Sequence, residues 1–105
     1  MRLLSAAVLA LAAGCAGASE GMEPTHMPSE AQEDYAVFAR RCSKCHSLAR
    51  PLQSGIESDE WWQHYVARMR AMPGSGISAD DEVKILRFLH YYSAEQHKRH
   101  AKEAP

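Results

Sequence analysis

No stretch of this 105-residue chain holds the ~18–20 consecutive apolar residues that a bilayer-crossing helix needs, so no permanent membrane span is encoded. Charge of one sign is not in excess either, because 12 Lys and Arg face 13 Asp and Glu for a formal net charge of −1. A general nucleic-acid binder needs a marked basic surplus for its phosphate contacts, and that class is excluded. Large aromatics are few, with two Phe and two Trp, and nowhere do apolar and polar residues alternate as in a half-buried strand. The length leaves room for one small domain. A domain of that size commonly needs help beyond its own core, from disulfides, a metal or a cofactor. Only Cys15, Cys42 and Cys45 are present to say which.

What is there begins with export. One positive charge, Arg2, precedes an apolar run from Leu3 to Ala13 that ends in small residues, the composition of a secretory signal rather than of a folded element. Leu11-Ala12-Ala13-Gly14-Cys15 resembles the lipobox at which bacterial lipoproteins are cleaved, which predicts a signal peptide over 1–15 and a lipid on Cys15. Ala12 stands where Leu is usual, and Ala16-Gly17-Ala18 would also serve ordinary signal cleavage after residue 18. Both readings expect a periplasmic or otherwise extracytoplasmic protein. Cleavage takes Arg2 from the basic side chains and nothing from the acidic ones, so the mature chain is mildly acidic. Residues 16–28 carry Gly17, Gly21, Pro24 and Pro28 without a hydrophobic period and are expected to form a flexible tether.

Three helical signals follow, and they define a domain over 29–94. Ser29-Glu30-Ala31-Gln32 has capping-box spacing, and Ala31, Tyr35, Phe38 and Cys42 recur at helical intervals, so the first helix delivers Cys42 at its end. Ser58-Asp59-Glu60-Trp61 predicts a second helix start, with acids at the positive end of the helix dipole and the helix running to about Arg70. Along it Trp61, Tyr65 and Met69 form one stripe, and Trp62, Val66 and Met69 an adjoining one. Pro73-Gly74-Ser75-Gly76 ends it, and Ser78 to Asp81 opens a third helix. There Val83, Leu86 and His90 form one line and Ile85, Phe88, Leu89 and Tyr92 another, while residues 95–105 read as a polar, exposed helical tail that frays. The apolar side chains of this all-α domain are too few to fill its middle, since burial at ~25 cal/mol per Å² must offset ordering costs of ~1.5 kcal/mol per residue.

Cys42-Ser43-Lys44-Cys45-His46 has the C-x-x-C-H spacing of c-type haem attachment. Two thiols three residues apart can add to the two vinyl groups of one porphyrin, and the histidine that follows lies under the iron as its proximal ligand. Competing readings are a Cys42–Cys45 disulfide, which lacks the βαβ setting of a thioredoxin-like pair, and a zinc site. Zinc would draw on both thiolates with two imidazoles from His46, His64 or His90, but no second C-x-x-C accompanies them, and the one spaced histidine pair, His97 and His100, lies in the polar tail.

With these residues in view, the segment from Tyr35 to Tyr92 resembles a compact class I cytochrome c. The resemblance rests on the C-x-x-C-H motif together with Trp61, Tyr65-Val66-x-Arg68-Met69, Pro73-Gly74-Ser75-Gly76-Ile77-Ser78 and Phe88-Leu89-x-Tyr91-Tyr92. It implies a small three-helix fold wrapped around one haem c, bonded through Cys42 and Cys45 and ligated by His46. A first helix would cross a last one with an aromatic contact, Phe38 or Tyr35 meeting Leu89 or Tyr92. It also implies an electron carrier, monomeric and not an enzyme, serving larger redox proteins as donor and acceptor. Membrane association would come only through the lipid on Cys15.

Carriers of this kind use methionine sulfur as the sixth ligand, a soft donor that favours Fe(II). Met69 is the expected ligand and Met72 the alternative, the two being three residues apart and able to share one face. His64 or His90 would make a bis-histidine iron instead, and an open or displaceable sixth site would point to a haem sensor or a small peroxidase. Arg40, Arg41, Lys44, Arg50, Arg68 and Arg70 make the surroundings of the motif basic. They either solvate helix surfaces, or hold haem propionates and steer an acidic partner.

Overall fold

The computed structural model describes residues 21–104, so the leader, Cys15 and the start of the expected tether lie outside the described residues. Among those described, all regular structure is helical: a 3-10 turn at Pro24–His26, then α1 (Ser29–Cys42), α2 (Ala49–Leu52), α3 (Asp59–Ala71) and α4 (Ala79–Glu103). The three expected helices correspond to α1, α3 and α4. The short α2 was not anticipated, and it tolerates Pro51 because its first turn has no N–H to lose to a helical bond.

Two of the three expected caps form. Ser58 accepts from the Trp61 N–H at the start of α3, and Ser78 with Asp81 makes a full capping box at the start of α4. At α1 the expectation is corrected: Pro28 occupies the cap position, Ser29 is already the first helical residue, and no side chain caps the helix. Gln32, expected to close that box, instead donates to the Met27 carbonyl at 2.8 Å.

α4 is the hub. α1 and α3 each pack against it rather than against one another. Phe38, Trp62, Val66, Ile85, Phe88 and Leu89 are buried between them, each large apolar side chain contributing about 1.5–3 kcal/mol by leaving water. The aromatic crossing of α1 and α4 is centred on Phe88, whose ring lies 4.7 Å from Phe38 and 5.2 Å from Tyr35. This differs from the expected partners: Leu89 is buried beside the crossing, and Tyr92 stacks on Phe88 while its hydroxyl donates to the Leu52 carbonyl at 2.6 Å. On α3 the two tryptophans part company, because neighbouring helix positions point ~100° apart. Trp62 is 1% exposed and donates to the Ser93 hydroxyl at 2.8 Å, whereas Trp61, placed on an apolar stripe by its spacing, is 66% exposed. Val83 and His90 likewise face outward.

The ends of the domain extend beyond 29–94. Met27, within the expected tether, is 6% exposed and belongs to the core, and the Met22 N–H bonds the Tyr35 hydroxyl at 2.8 Å. Residues 95–103 continue α4 without a break, giving one 25-residue helix that is exposed from His97 onward.

Candidate functional site

α1 stops at Cys42, and the turn that follows carries Cys45 and His46. α3 stops at Ala71 because Pro73 drives the residue before it out of the helical region. Met72 accordingly adopts φ −65° and ψ 133°, extended, just outside the helix. Gly74 and Gly76, both at positive φ near 70–80°, then turn the chain into α4, a conformation that favours glycine. These two helix ends leave between them a groove of about 350 Å³ lined by Cys42, Cys45, His46, Met69 and Met72, with Arg41 and Arg50 among its walls. Residues from two distant stretches of the chain, 41–50 and 69–77, therefore share one hollow.

The groove holds chemically distinct donors. Cys42 and Cys45 are both free thiols, but they differ: Cys45 is exposed, while burial pushes the Cys42 thiol up to about 11. His46 Nδ1 lies 3.0 Å from the Ser47 carbonyl. A carbonyl oxygen only accepts, so this contact assigns the proton to Nδ1 and leaves the Nε2 lone pair available to a metal. Met69 is half-buried and packs on the core, whereas Met72 is 51% exposed.

Tyr65 is the member of this region to which its spacing gave no role. Its hydroxyl is the one buried side-chain polar atom without a partner among the described residues. Burial, first, and then Cys42 push its pKa above the ordinary tyrosine value, with Arg50 and Arg68 opposing. Nothing in its place on an apolar stripe signalled an unpaired hydroxyl, since pairing depends on neighbours from other elements.

The remaining expected ligands lie elsewhere. His90 Nδ1 sits 3.0 Å from both carboxylate oxygens of Asp59, and His64 lies beside the Trp61 ring. Neither lines the groove, so the bis-histidine and zinc sets are not brought together there. His97 and His100 face Glu57 at 3.8 and 3.5 Å. Among the described residues no three His, Cys, Asp or Glu side chains gather as a metal-ion site. No helix among them is long and apolar enough to cross a membrane.

Comparison with protein-family models, with curated proteins and with solved structures finds no match to this chain.

Proposed function

We propose that this chain is an exported mono-haem c-type cytochrome of the compact class I kind, carrying single electrons between larger redox proteins. The observation that carries this reading is the shared groove of Cys42, Cys45, His46, Met69 and Met72. The donor set fits the group: two free thiols at attachment spacing, an imidazole whose Nδ1 is engaged by a backbone carbonyl, and thioether sulfur from a separate helix. α1 and α3 pack on α4 and not on each other, and in this reading the haem would lie between their ends.

In this reading Cys42 and Cys45 would hold haem c covalently, and His46 and Met69 would ligate its iron, Met72 being the alternative to Met69. When bound, the iron supplies reversible one-electron chemistry between Fe(II) and Fe(III). The polypeptide does the rest. The Ser47 carbonyl orients the His46 ring through Nδ1. Met69, held on a buried helix face, offers a soft donor without large reorganisation. Phe38, Leu48 and Val66 are buried in the core and keep water from it. A sensor or small peroxidase would instead leave the sixth position open. Export of the chain, with a lipid on Cys15 as its membrane anchor or by plain secretion without one, completes the proposal.

The test is the visible spectrum of protein exported in a host that attaches haem. The carrier reading expects sharp bands in the reduced form, the weak long-wavelength band of thioether-bound ferric iron, and no binding of carbon monoxide. A colourless product contradicts the haem, and ready carbon monoxide binding contradicts the closed sixth position.

A further inference from the structure

The last turns of α4 are held by very little. Ser93, which accepts the Trp62 indole bond, is the last buried residue of the helix, and every described residue from His97 onward is exposed. An exposed helix end without apolar contacts opens readily unless side chains tie it down. Here two ties come from another element. His97 Nε2 lies 3.8 Å from one carboxylate oxygen of Glu57, and His100 Nδ1 lies 3.5 Å from the other. Glu57 belongs to the loop over 53–58, between α2 and α3. The remaining ion pair of this segment, Lys98 with Glu95, stays within the helix.

Both separations exceed the ~3.2 Å reach of a good N–H···O bond, so a neutral imidazole gains almost nothing from Glu57. A protonated one places a full charge opposite a carboxylate. His90 differs, because its Nδ1 is 3.0 Å from both Asp59 oxygens, a bond that a neutral ring also donates. The charged neighbours of His97 and His100 divide by sign. Glu57 favours their protonation, as do Asp59, across the small hollow that His90 and His97 share with it, Glu103 on the last turn, and the carbonyl end of the helix. Lys98, Arg99 and Lys102, on α4 itself, oppose it. Histidine is the side chain whose charge ordinarily changes between about pH 5 and 8.

We infer that Glu57, His97 and His100 form an acid-operated clasp: protonation of the two imidazoles fastens the end of α4 to the loop over 53–58, and their neutral forms release it. Protons that bind the clasped form in preference to the open one stabilise it in acid, and that stabilisation is lost as the pH rises through the histidine range. The fastened loop joins α2, whose Arg50 lies in the groove wall, to α3, which carries Met69. Its order is therefore set between the two elements that flank the groove. The clasp needs no haem, so it stands or falls apart from the carrier reading.

The experiment is a pH titration of the full mature protein, in EDTA, followed by carbon chemical shifts, which report helix without relying on exchangeable protons. The Cα shifts of Lys98, Arg99, Ala101 and Lys102, read in place of the histidines themselves, should move toward helical values as the pH falls from about 8 to about 5.5. Those of residues 54–57 should move with them, and ~0.5 M salt should shrink both changes. Glu57→Gln should remove at least about half of the amplitude at residues 98–102, because only the helix dipole then favours the charged rings. His97→Gln with His100→Gln should remove all of it, and His90→Gln should leave it in place. An unchanged Trp62 indole signal shows that each variant keeps the bond to Ser93 and with it the core. No movement in the native protein overturns the inference, and so does equal movement in Glu57→Gln, which makes the dipole the sole cause. A transition that requires added Zn(II) and is absent in EDTA assigns the histidine pair to a metal and overturns it as well.

Discussion

Arg87 on α4 grips both oxygens of Asp34 on α1, Nε to Oδ2 at 2.6 Å and Nη2 to Oδ1 at 2.7 Å. Asp34 is 3% exposed, so its carboxylate has exchanged water for a planar fork of two charge-assisted bonds. The pair pins the α1–α4 crossing on the side away from the groove, and Arg41–Asp81 pins the same helices near it. Replacing Asp34 by Ala leaves no buried charge, but replacing Arg87 by Ala strands one. Arg87→Ala should therefore lower the melting temperature clearly, and more than Lys84→Ala, whose partner Asp80 is open to water. Equal effects of the two variants in thermal unfolding would show that the fork is merely decorative.

Phe88 is the centre of the aromatic crossing and fully buried. Phe88→Ala should cost about 3–5 kcal/mol in denaturant unfolding, the usual sum of lost transfer energy and cavity. Trp61→Ala, at an exposed position on α3, should stay within about 0.5 kcal/mol of the native chain.

Acid should weaken the link between the α4 cap and the groove wall. The Ser78 backbone N–H, and after it the Arg41 guanidinium, hold the Asp81 carboxyl below the usual carboxylate range, with burial opposing. A carboxylate whose folded value lies below its unfolded one contributes stability that is complete above the unfolded value, about 3.9, and is lost as the pH falls through the folded one. Asp81→Asn should be less stable than the native chain at pH 7, and the gap should close as the pH drops below about 4. A gap that persists unchanged at low pH would show that lost packing, not charge, causes it.

The two thiols should react unequally while both are free. Burial pushes Cys42 up to about 11, so only on the order of a thousandth of it is thiolate at pH 8, whereas exposed thiols ionise near ~8.5. Iodoacetamide should label Cys45 well before Cys42 in protein made without haem-attachment machinery. Peptide mass spectrometry reads the order, and equal labelling would mean that Cys42 is not shielded.

Single replacement separates the two methionines. Met69→Ala should abolish the thioether-to-iron band of the ferric protein, and Met72→Ala should leave it in place. Loss only in Met72→Ala would transfer the ligand role to the residue outside the helix.

The legible features were those set by local rules. Ser58 and Ser78 announce their helices because a cap needs only the three residues that follow it. Ser29 obeys the same spacing and misleads, because Pro28 takes the cap position and Gln32 turns to Met27 instead. α2 is too short to show a period, and its proline reads as a break. The polar end of α4 was legible as an exposed helical tail but not as an unbroken part of the third helix, since without an apolar stripe a solvated helix and a frayed one look alike. Met27 is buried by α1 and its neighbours rather than by its own segment, so nothing near it in the chain foretold its place in the core. The groove residues were all named from motif and resemblance, but the orphaned Tyr65 hydroxyl and the Arg41–Asp81 pair arise from contacts between distant segments.

The most direct measurement is the intact mass of the mature protein, taken under denaturing conditions that strip any group not covalently bound. One porphyrin's mass above the polypeptide and its acyl groups, lost when Cys42 and Cys45 are both replaced by Ala, is the expected result. A mass that amino acids and acyl groups explain in full contradicts it.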